Sequence, residues 1–149
     1  MLDAVLQRRL VFITGKGGVG KTAVALALGL AAARAGKRTL VVEVNPLGRL
    51  GEYLGDRTLA PEPTEITPEL AAAAIAPTVI MEDFLAGMLR IRALARRLLE
   101  SNTFRVVTAA APGLADFLTL VRIAEWEDER IGFKRRRHRF DLVIVDAPA

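Results

Sequence analysis

The chain has 149 residues, about the length of one domain, and 52% of them are hydrophobic. This apolar content excludes an intrinsically disordered chain, because enough surface can be buried to offset the entropy of ordering it. The longest uncharged apolar run, residues 23 to 33, is shorter than the ~20 residues that cross a bilayer, so we predict no membrane span. The absence of cysteine excludes thiolate metal sites in these residues. It agrees with a cytoplasmic location, as does an N-terminus without an export signal.

The formal net charge of +4 arises largely from two basic stretches, residues 90–97 and residues 134–139 (KRRRHR). A nucleic acid or an acidic lipid could bind such stretches. The alternative is a solvated helix end that leads into a strand, and we favour it because a short basic run is a weak signal. We assign no role to His138. Met88 and Trp126 are assigned to packing, because no regular aromatic interleaving accompanies the basic residues.

The first half of the chain predicts a strand, a glycine-rich turn, a helix and a second strand. Residues 10–14 form a mostly apolar run that ends at a glycine, as in a strand covered on both faces. A helix follows over residues 21–35, ends at Gly36, and has an apolar surface that suggests burial on more than one side. Residues 39–44 form the second buried strand. This βαβ unit places the loops after both strands at one edge of a parallel sheet.

The second half is less regular. Residues 55–68 are rich in proline, threonine and glutamate and indicate a surface connection, and residues 70–75 indicate a short strand. Apolar residues at helical spacing predict helices over residues 82–100 and residues 114–128. A last apolar strand over residues 140–146 ends in an acidic residue.

Residues 15–22, GKGGVGKT, satisfy the phosphate-binding pattern G-x-x-x-x-G-K-[ST] between a predicted strand and a predicted helix. Glycines are needed because backbone N–H groups must wrap around phosphate oxygens in conformations that a β-carbon obstructs. Lys21 is expected to reach the β and γ phosphates, and the Thr22 hydroxyl is expected to ligate Mg²⁺. The predicted nucleotide-binding residues are Gly15, Lys16, Gly17, Gly18, Val19, Gly20, Lys21 and Thr22.

Two further residues at strand ends are candidates for this site. Asp146 ends its strand where a carboxylate would hold Mg²⁺, and the alternative is a strand-end turn before Ala147-Pro148. Asn45 ends the second strand at the same edge and is a candidate to contact the attacking water. The alternative for Asn45 is an Asx turn before proline.

The second lysine of the loop, Lys16, makes the sequence KGGVGKT resemble the deviant Walker A motif. This motif belongs to the arsenite-pump and tail-anchored-protein-targeting ATPases and to their septum-placement and plasmid-partition relatives. The resemblance implies a P-loop NTPase with a mostly parallel sheet flanked by helices. It also implies a homodimer in which Lys16 contacts the nucleotide of the other subunit. ATP and Mg²⁺ are the implied cofactors, and Lys16, Lys21, Asn45 and Asp146 the implied catalytic residues.

Other segments favour the arsenite-pump branch. Residues 146–149 (DAPA) are similar to the start of its switch II, residues 111–113 (APG) to its P-G segment, and Asn45-Pro46 to its D-P switch I. The resemblance thus implies ATP hydrolysis coupled to a client or a membrane partner. Nucleic acid is not the expected partner.

Two departures from the pattern matter. Asn45 stands where the family usually has aspartate, and an amide cannot accept a proton as a carboxylate can. The chain ends three residues after Asp146, so we expect residues 1–149 to be the N-terminal part of a single, incomplete P-loop domain. Two alternatives remain open. One is a partition-type or septum-placement-type module that binds DNA or a membrane, and the other is a catalytically idle nucleotide-binding subunit.

Overall fold

The computed structural model describes residues 2–44, 48–89, 97, 101, 113–133 and 136–148. The helices are α1 (Leu2–Leu6), α2 (Lys21–Arg34), α3 (Arg49–Tyr53), α4 (Pro77–Leu89) and α5 (Leu114–Asp128). The strands are β1 (Leu10–Ile13), β2 (Thr39–Val44), β3 (Thr64–Thr67), β4 (Leu70–Ile75), β5 (Arg130–Ile131), β6 (Arg137–His138) and β7 (Leu142–Asp146). The chain divides into two compact units, residues 1–75 with 124–149, and residues 76–123.

The first unit is built on a five-stranded sheet with the order β1-β7-β2-β4-β3. The first four strands are parallel, and only β3 at the edge runs antiparallel to its neighbour β4. Ile13, Asp146 and Glu43 stand in register on adjacent strands, so the carboxyl ends of β1, β7 and β2 meet at one edge of the sheet. The predicted α/β fold with a mostly parallel sheet is confirmed.

Helix α2 packs against this sheet through one stripe of small and apolar residues, namely Ala25, Leu26, Gly29 and Ala32. A β-carbon on Gly29 would lie 2.5 Å from the Val41 Cγ2 atom of β2, so the glycine permits the close approach. The described residues leave the other faces of the helix partly open, since Val24 is 49% and Leu30 is 37% exposed. The expected burial on more than one side is therefore wrong, because the sheet covers a single stripe of the helix.

At the amino edge of the sheet, Arg38 ties β2 to β7 through Asp141. The guanidinium donates to the two carboxylate oxygens at 2.6 and 3.0 Å, and the backbone N–H of Arg38 donates at 3.0 Å. These hydrogen bonds outweigh the partial burial of the carboxyl group and lower the pKa of Asp141 below its ordinary value of 3.8. The ion pair therefore fixes the starting points of two adjacent central strands.

The predicted element boundaries are partly correct. The helix over residues 114–128 and the strand over residues 70–75 are confirmed. The helix predicted to begin at residue 82 begins at Pro77, and most of residues 90–100 lie outside the described residues. Residues 55–68 are not only a connection, because they contain β3, whose pairing with β4 depends on a tertiary contact.

Between α5 and β7 the chain forms a short antiparallel hairpin of β5 and β6 instead of a solvated helix end that leads directly into a strand. The helix ends before it, at Asp128. Arg9 at the amino end of β1 donates to the side chain and the backbone carbonyl of Glu127, and its Nη2 atom lies 2.8 Å from His138 Nδ1. Trp126 is buried, which confirms its assignment to packing.

The second unit contains α4 and the first ten residues of α5. Ile80 and Met81 of α4 and Leu118 and Ile123 of α5 are buried, whereas Phe117 is 61% exposed. In the part of the chain that the structure describes, no helix combines the length and the apolar character needed to cross a membrane.

Candidate functional site

The glycine-rich loop connects the end of β1 to the start of α2. Gly18 and Gly20 adopt left-handed backbone conformations, with φ of 78° and 87°, and Gly20 is the N-cap of α2. A β-carbon at either position would meet no atom within 4 Å among the residues that the structure describes. Backbone conformation, and not crowding, is therefore what requires glycine here, because residues with a β-carbon rarely adopt positive φ. The loop leaves open space where a ligand can approach its backbone.

The side chain of Lys21 folds back over this loop. Its ammonium group donates hydrogen bonds to the carbonyl oxygens of Gly15 at 3.1 Å and Lys16 at 3.3 Å. The positive charge thus sits directly above the loop backbone, at the N-terminus of α2, where the helix dipole also favours anions.

Thr22 and Asp146 are brought into contact although 124 residues separate them in the sequence. The Thr22 hydroxyl donates to the Asp146 Oδ2 atom at 2.5 Å. Asp146 is 5% exposed, and its other oxygen, Oδ1, is buried with no hydrogen-bond donor among the residues that the structure describes. A buried carboxylate oxygen without a donor is costly, so this atom has unused capacity to bind a cation or another donor.

Glu43 places a second buried carboxylate next to Asp146, its cross-strand partner on β7. The side chain is 4% exposed, and its oxygens accept hydrogen bonds from the backbone N–H groups of Arg49 at 3.3 Å and Leu50 at 3.4 Å. The carboxylate therefore caps the first turn of α3. Its position holds α3 at the carboxyl edge of the sheet.

These groups surround a cleft of about 380 Å³. The loop lines one side, and α3 lines another through Arg49 and Tyr53, which lie one helical turn apart. The lining residues are Gly17, Gly18, Gly20, Lys21, Thr22, Ala23, Glu43, Val44, Arg49, Tyr53, Asp146, Ala147 and Pro148. The arrangement combines a lysine, an arginine, two carboxylates and the backbone of a glycine-rich loop, which suits a phosphate group accompanied by a cation.

Most of the predicted site residues meet at this cleft. Gly17, Gly18, Gly20, Lys21, Thr22 and Asp146 line it, whereas Gly15, Lys16 and Val19 belong to the loop but are not among its lining residues. The side chain of Lys16 is exposed. Asn45 lies outside the described residues, so its predicted place at the cleft stays a prediction.

Sequence reasoning missed Glu43, Arg49 and Tyr53. One signal was present for Glu43, because it is the only charged residue of strand β2, which is otherwise apolar apart from Thr39. Arg49 and Tyr53 gave no such signal, since their place at the cleft depends on how the chain returns after residue 44.

Comparisons with known proteins agree with this geometry. The sequence model of the anion-transporting ATPase family matches residues 8–149. The chain is 28% identical to the Paramecium tetraurelia "ATPase ASNA1 homolog 1" over 91% of its own length and 39% of that protein. It is 30% identical to a "Putative arsenical pump-driving ATPase" of Chlorobaculum tepidum over 93% of its length and 32% of that protein. It is also 29% identical to the "Chromosome-partitioning ATPase Soj" of Treponema pallidum over 95% of its length and 48% of that protein.

The chain thus spans between 32% and 48% of the length of these three relatives. The family match covers the glycine-rich loop, both buried carboxylates and every strand of the sheet. This chain therefore belongs to the anion-transporting ATPase family.

Proposed function

We propose that the chain binds ATP with Mg²⁺ in the cleft beside the glycine-rich loop and hydrolyses the terminal phosphoanhydride bond. The observation that carries the proposal is the hydrogen bond of 2.5 Å from the Thr22 hydroxyl to the buried Asp146 carboxylate. In this contact a hydroxyl from the loop meets a carboxylate from a distant strand, and these are the two oxygen ligands that phosphate-binding-loop enzymes use for their metal.

The donor set of the cleft fits a hard divalent cation. Mg²⁺ prefers oxygen ligands and is commonly held by one or two carboxylates together with substrate phosphates. The unpaired, buried Oδ1 atom of Asp146 and the hydroxyl of Thr22 supply such ligands within the described part of the chain. Mg²⁺ bound there would neutralise charge on the phosphate oxygens.

Lys21 and the loop backbone would bind the phosphates themselves. The Lys21 ammonium group now donates to two carbonyl oxygens, and anionic phosphate oxygens are stronger acceptors than neutral carbonyls. We expect Lys21 to exchange these partners for the β and γ phosphates, while backbone N–H groups of residues 15–22 contact the same oxygens. Arg49, which also lines the cleft, would add a second positive charge.

Asn45 is our candidate for orienting the attacking water through its side-chain carbonyl oxygen. An amide cannot take up the proton that leaves the water, and we therefore expect slow turnover. Phosphoryl transfer depends chiefly on positioning and charge stabilisation, so turnover should not be abolished.

We further propose that two copies of the chain clamp the nucleotide and that Lys16 of each copy acts on the nucleotide of the other. The exposed Lys16 side chain supports this role, because it is available to a second subunit. The ATP-dependent change of dimer state would then be sensed by a client or a membrane partner. The Chlorobaculum tepidum relative is named as an arsenical pump-driving ATPase, which suggests such coupling.

A second candidate function is a nucleotide-gated partition module. The similarity to the Treponema pallidum Soj protein over 95% of the chain favours it. Retention on DNA that requires ATP and weakens steeply with salt would support this alternative. A catalytically idle subunit that serves an active partner is a third candidate, suggested by Asn45, and mixing experiments with that partner would test it.

The experiment for the main proposal measures phosphate release from ATP with Mg²⁺ or with EDTA. Wild-type protein should release phosphate only with Mg²⁺. Thr22→Ala and Asp146→Asn should each lower the rate at least roughly ten-fold, because each removes a metal ligand. Thr58→Ala, which changes an exposed threonine outside the cleft, is the matched control. Equal rates in all four proteins, or phosphate release that does not depend on Mg²⁺, would contradict the proposal.

A further inference from the structure

The β5–β6 hairpin carries one of the two basic stretches of the chain. Residues 130–139 contain six arginines and lysines and no acidic residue, while the whole chain has a formal net charge of +4. The remaining residues together are therefore slightly acidic, with a net charge of −2. Such a basic surface attracts an anionic partner at that place.

Part of this charge is not neutralised by the protein. Arg130 pairs with Asp128 at 3.6 Å and Arg139 pairs with Glu129 at 3.1 Å, so acidic neighbours hold the base of the hairpin. Arg136 and Arg137 are exposed, and neither forms an ion pair with a residue that the structure describes. Their charges remain available to a partner.

An aromatic side chain accompanies these charges. Phe133 lies in the connection between β5 and β6 and is fully exposed, with a relative accessibility of 101%. Ile131 on β5 is 37% exposed. A large apolar side chain in water does not gain the free energy that its burial would provide. A phenylalanine beside several arginines also matches the composition of segments that bind membrane interfaces.

We propose that the β5–β6 hairpin docks on an anionic lipid surface, with Arg136 and Arg137 against the headgroups and Phe133 inserted between them. Single-stranded nucleic acid would require several rings along a basic groove, so that successive bases can stack. The described part of the hairpin offers one fully exposed ring, Phe133, because the His138 imidazole is only partly exposed and lies against Arg9. Duplex phosphates would engage the arginines alone and leave Phe133 in water, so the combination favours lipid.

The position of the hairpin is compatible with nucleotide binding. Through residues 139–141 the hairpin leads into the amino end of β7, whereas Asp146 lies at the carboxyl end of this five-residue strand. The two ends of the strand are therefore about 13 Å apart. A lipid surface against the hairpin would leave the cleft open to ATP, and the proposal does not depend on ATP hydrolysis.

The first test is co-sedimentation of the full chain with vesicles of phosphatidylcholine alone or of phosphatidylcholine with phosphatidylserine. We expect binding only to the anionic vesicles, weakened by salt. The double variant Arg136→Ser/Arg137→Ser should bind roughly 25-fold more weakly, and Phe133→Ser roughly five-fold more weakly. The control Arg34→Ser/Arg57→Ser removes two exposed arginines elsewhere and should bind like the wild type.

A second measurement does not depend on loss of binding. Trp126 is the only tryptophan and is buried, so its emission reports whether each variant is folded. In Phe133→Trp the introduced indole should shift its emission to shorter wavelength on anionic vesicles and not on neutral ones.

Three results would overturn the proposal. The wild type could bind neutral and anionic vesicles equally well, or the folded hairpin variants could bind as tightly as the wild type. The third result is that the emission of Phe133→Trp does not shift although the protein is bound to vesicles. Binding to DNA or to single-stranded RNA that the hairpin variants lose, without vesicle binding by the wild type, would assign the hairpin to nucleic acid instead.

Discussion

At the scale of single residues, the cleft holds two buried carboxylates in different hydrogen-bonding environments. Asp146 accepts from the Thr22 hydroxyl through one oxygen and has no donor among the described residues at the other. Glu43 accepts from two backbone N–H groups of α3. We therefore expect Asp146 to act on the ligand and Glu43 to act as a positioning residue that holds α3 and Arg49 beside it.

Glu43→Gln tests this division of roles. The amide keeps the size of the side chain but replaces one carboxylate oxygen, an acceptor, with an NH₂ group, a donor. This donor would then face a backbone N–H group of Arg49 or Leu50, which is also a donor. We expect a loss of about 1–2 kcal/mol in the free energy of unfolding and a weaker affinity for ATP, because a buried donor is left without its acceptor. Denaturant unfolding and nucleotide titration measure the two effects.

The matched control is Glu62→Gln on an exposed loop, which should change neither quantity. If Glu43→Gln also left both unchanged, the role of Glu43 in holding α3 would be wrong.

The part of the site that can be predicted from sequence is the part whose spacing is local. Residues 15–22 form one continuous motif, and Asp146 closes an apolar strand, so both can be identified without coordinates. The role of Glu43 depends on α3, whose first turn returns to β2 after residues 45–47. No periodicity or motif marks that return, and Arg49 and Tyr53 were missed for the same reason.

At the scale of elements, the seam between α2 and β2 depends on Gly29. A β-carbon there would lie 2.5 Å from Val41 Cγ2 and 3.5 Å from Leu70 Cδ1, in a region where both neighbours are buried. We expect Gly29→Ala to destabilise the fold by a net ~1–2 kcal/mol, because overpacking outweighs the gain of about 1 kcal/mol in helix propensity.

Gly87→Ala in α4 is the control, since a β-carbon there meets no atom of the described residues within 4 Å, so that only the gain in helix propensity applies. Urea unfolding should therefore give a lower free energy of unfolding for Gly29→Ala and a higher one for Gly87→Ala, each relative to the wild type. A Gly29→Ala protein as stable as Gly87→Ala would contradict the tight contact between α2 and β2.

The ion pair between Arg38 and Asp141 makes a prediction about pH. Because the pKa of Asp141 is lowered in the folded chain, its stabilisation is fully present above the ordinary value of 3.8 and is lost as the pH falls through the lowered pKa. The carboxylate side chain is 36% exposed, so we expect solvent screening to limit its contribution to roughly 1 kcal/mol.

Asp141→Asn should therefore have a lower Tm than the wild type at neutral pH, and the difference should shrink at pH values below 3.8. Thermal melts at several pH values measure this difference. A gap in Tm that stays constant into acid would show that the charge of Asp141 does not stabilise the fold.

The predictable elements are those with a strong local pattern. The helix over residues 114–128 has apolar positions at regular spacing after Gly113, and the central strands are largely apolar. Strand β3 has only four residues and alternates weakly, and β5 and β6 have two residues each. These short strands depend on pairing with a neighbour, which is tertiary information that the sequence pattern does not contain.

At the scale of the whole molecule, the proposed dimer assigns different roles to Lys16 and Lys21, and mutations can separate these roles. Lys16→Ala should abolish ATP-dependent dimerisation, measured by light scattering, but reduce nucleotide binding by the monomer only slightly, since the Lys16 side chain does not line the cleft. Lys37→Ala, which removes a lysine from the amino edge of the sheet, should dimerise as the wild type does. Dimerisation that is unaffected in Lys16→Ala would remove the proposed action in trans.

The central claim is that the cleft beside the glycine-rich loop binds the phosphates of a nucleotide. Titration calorimetry of ATP with Mg²⁺ into wild type, Lys21→Ala and Lys37→Ala tests it most directly. Lys21→Ala should bind at least roughly ten-fold more weakly, because a charged partner of the phosphates is lost, while Lys37→Ala should match the wild type. Equal affinity in all three proteins, or no binding by the folded wild type, would contradict the account.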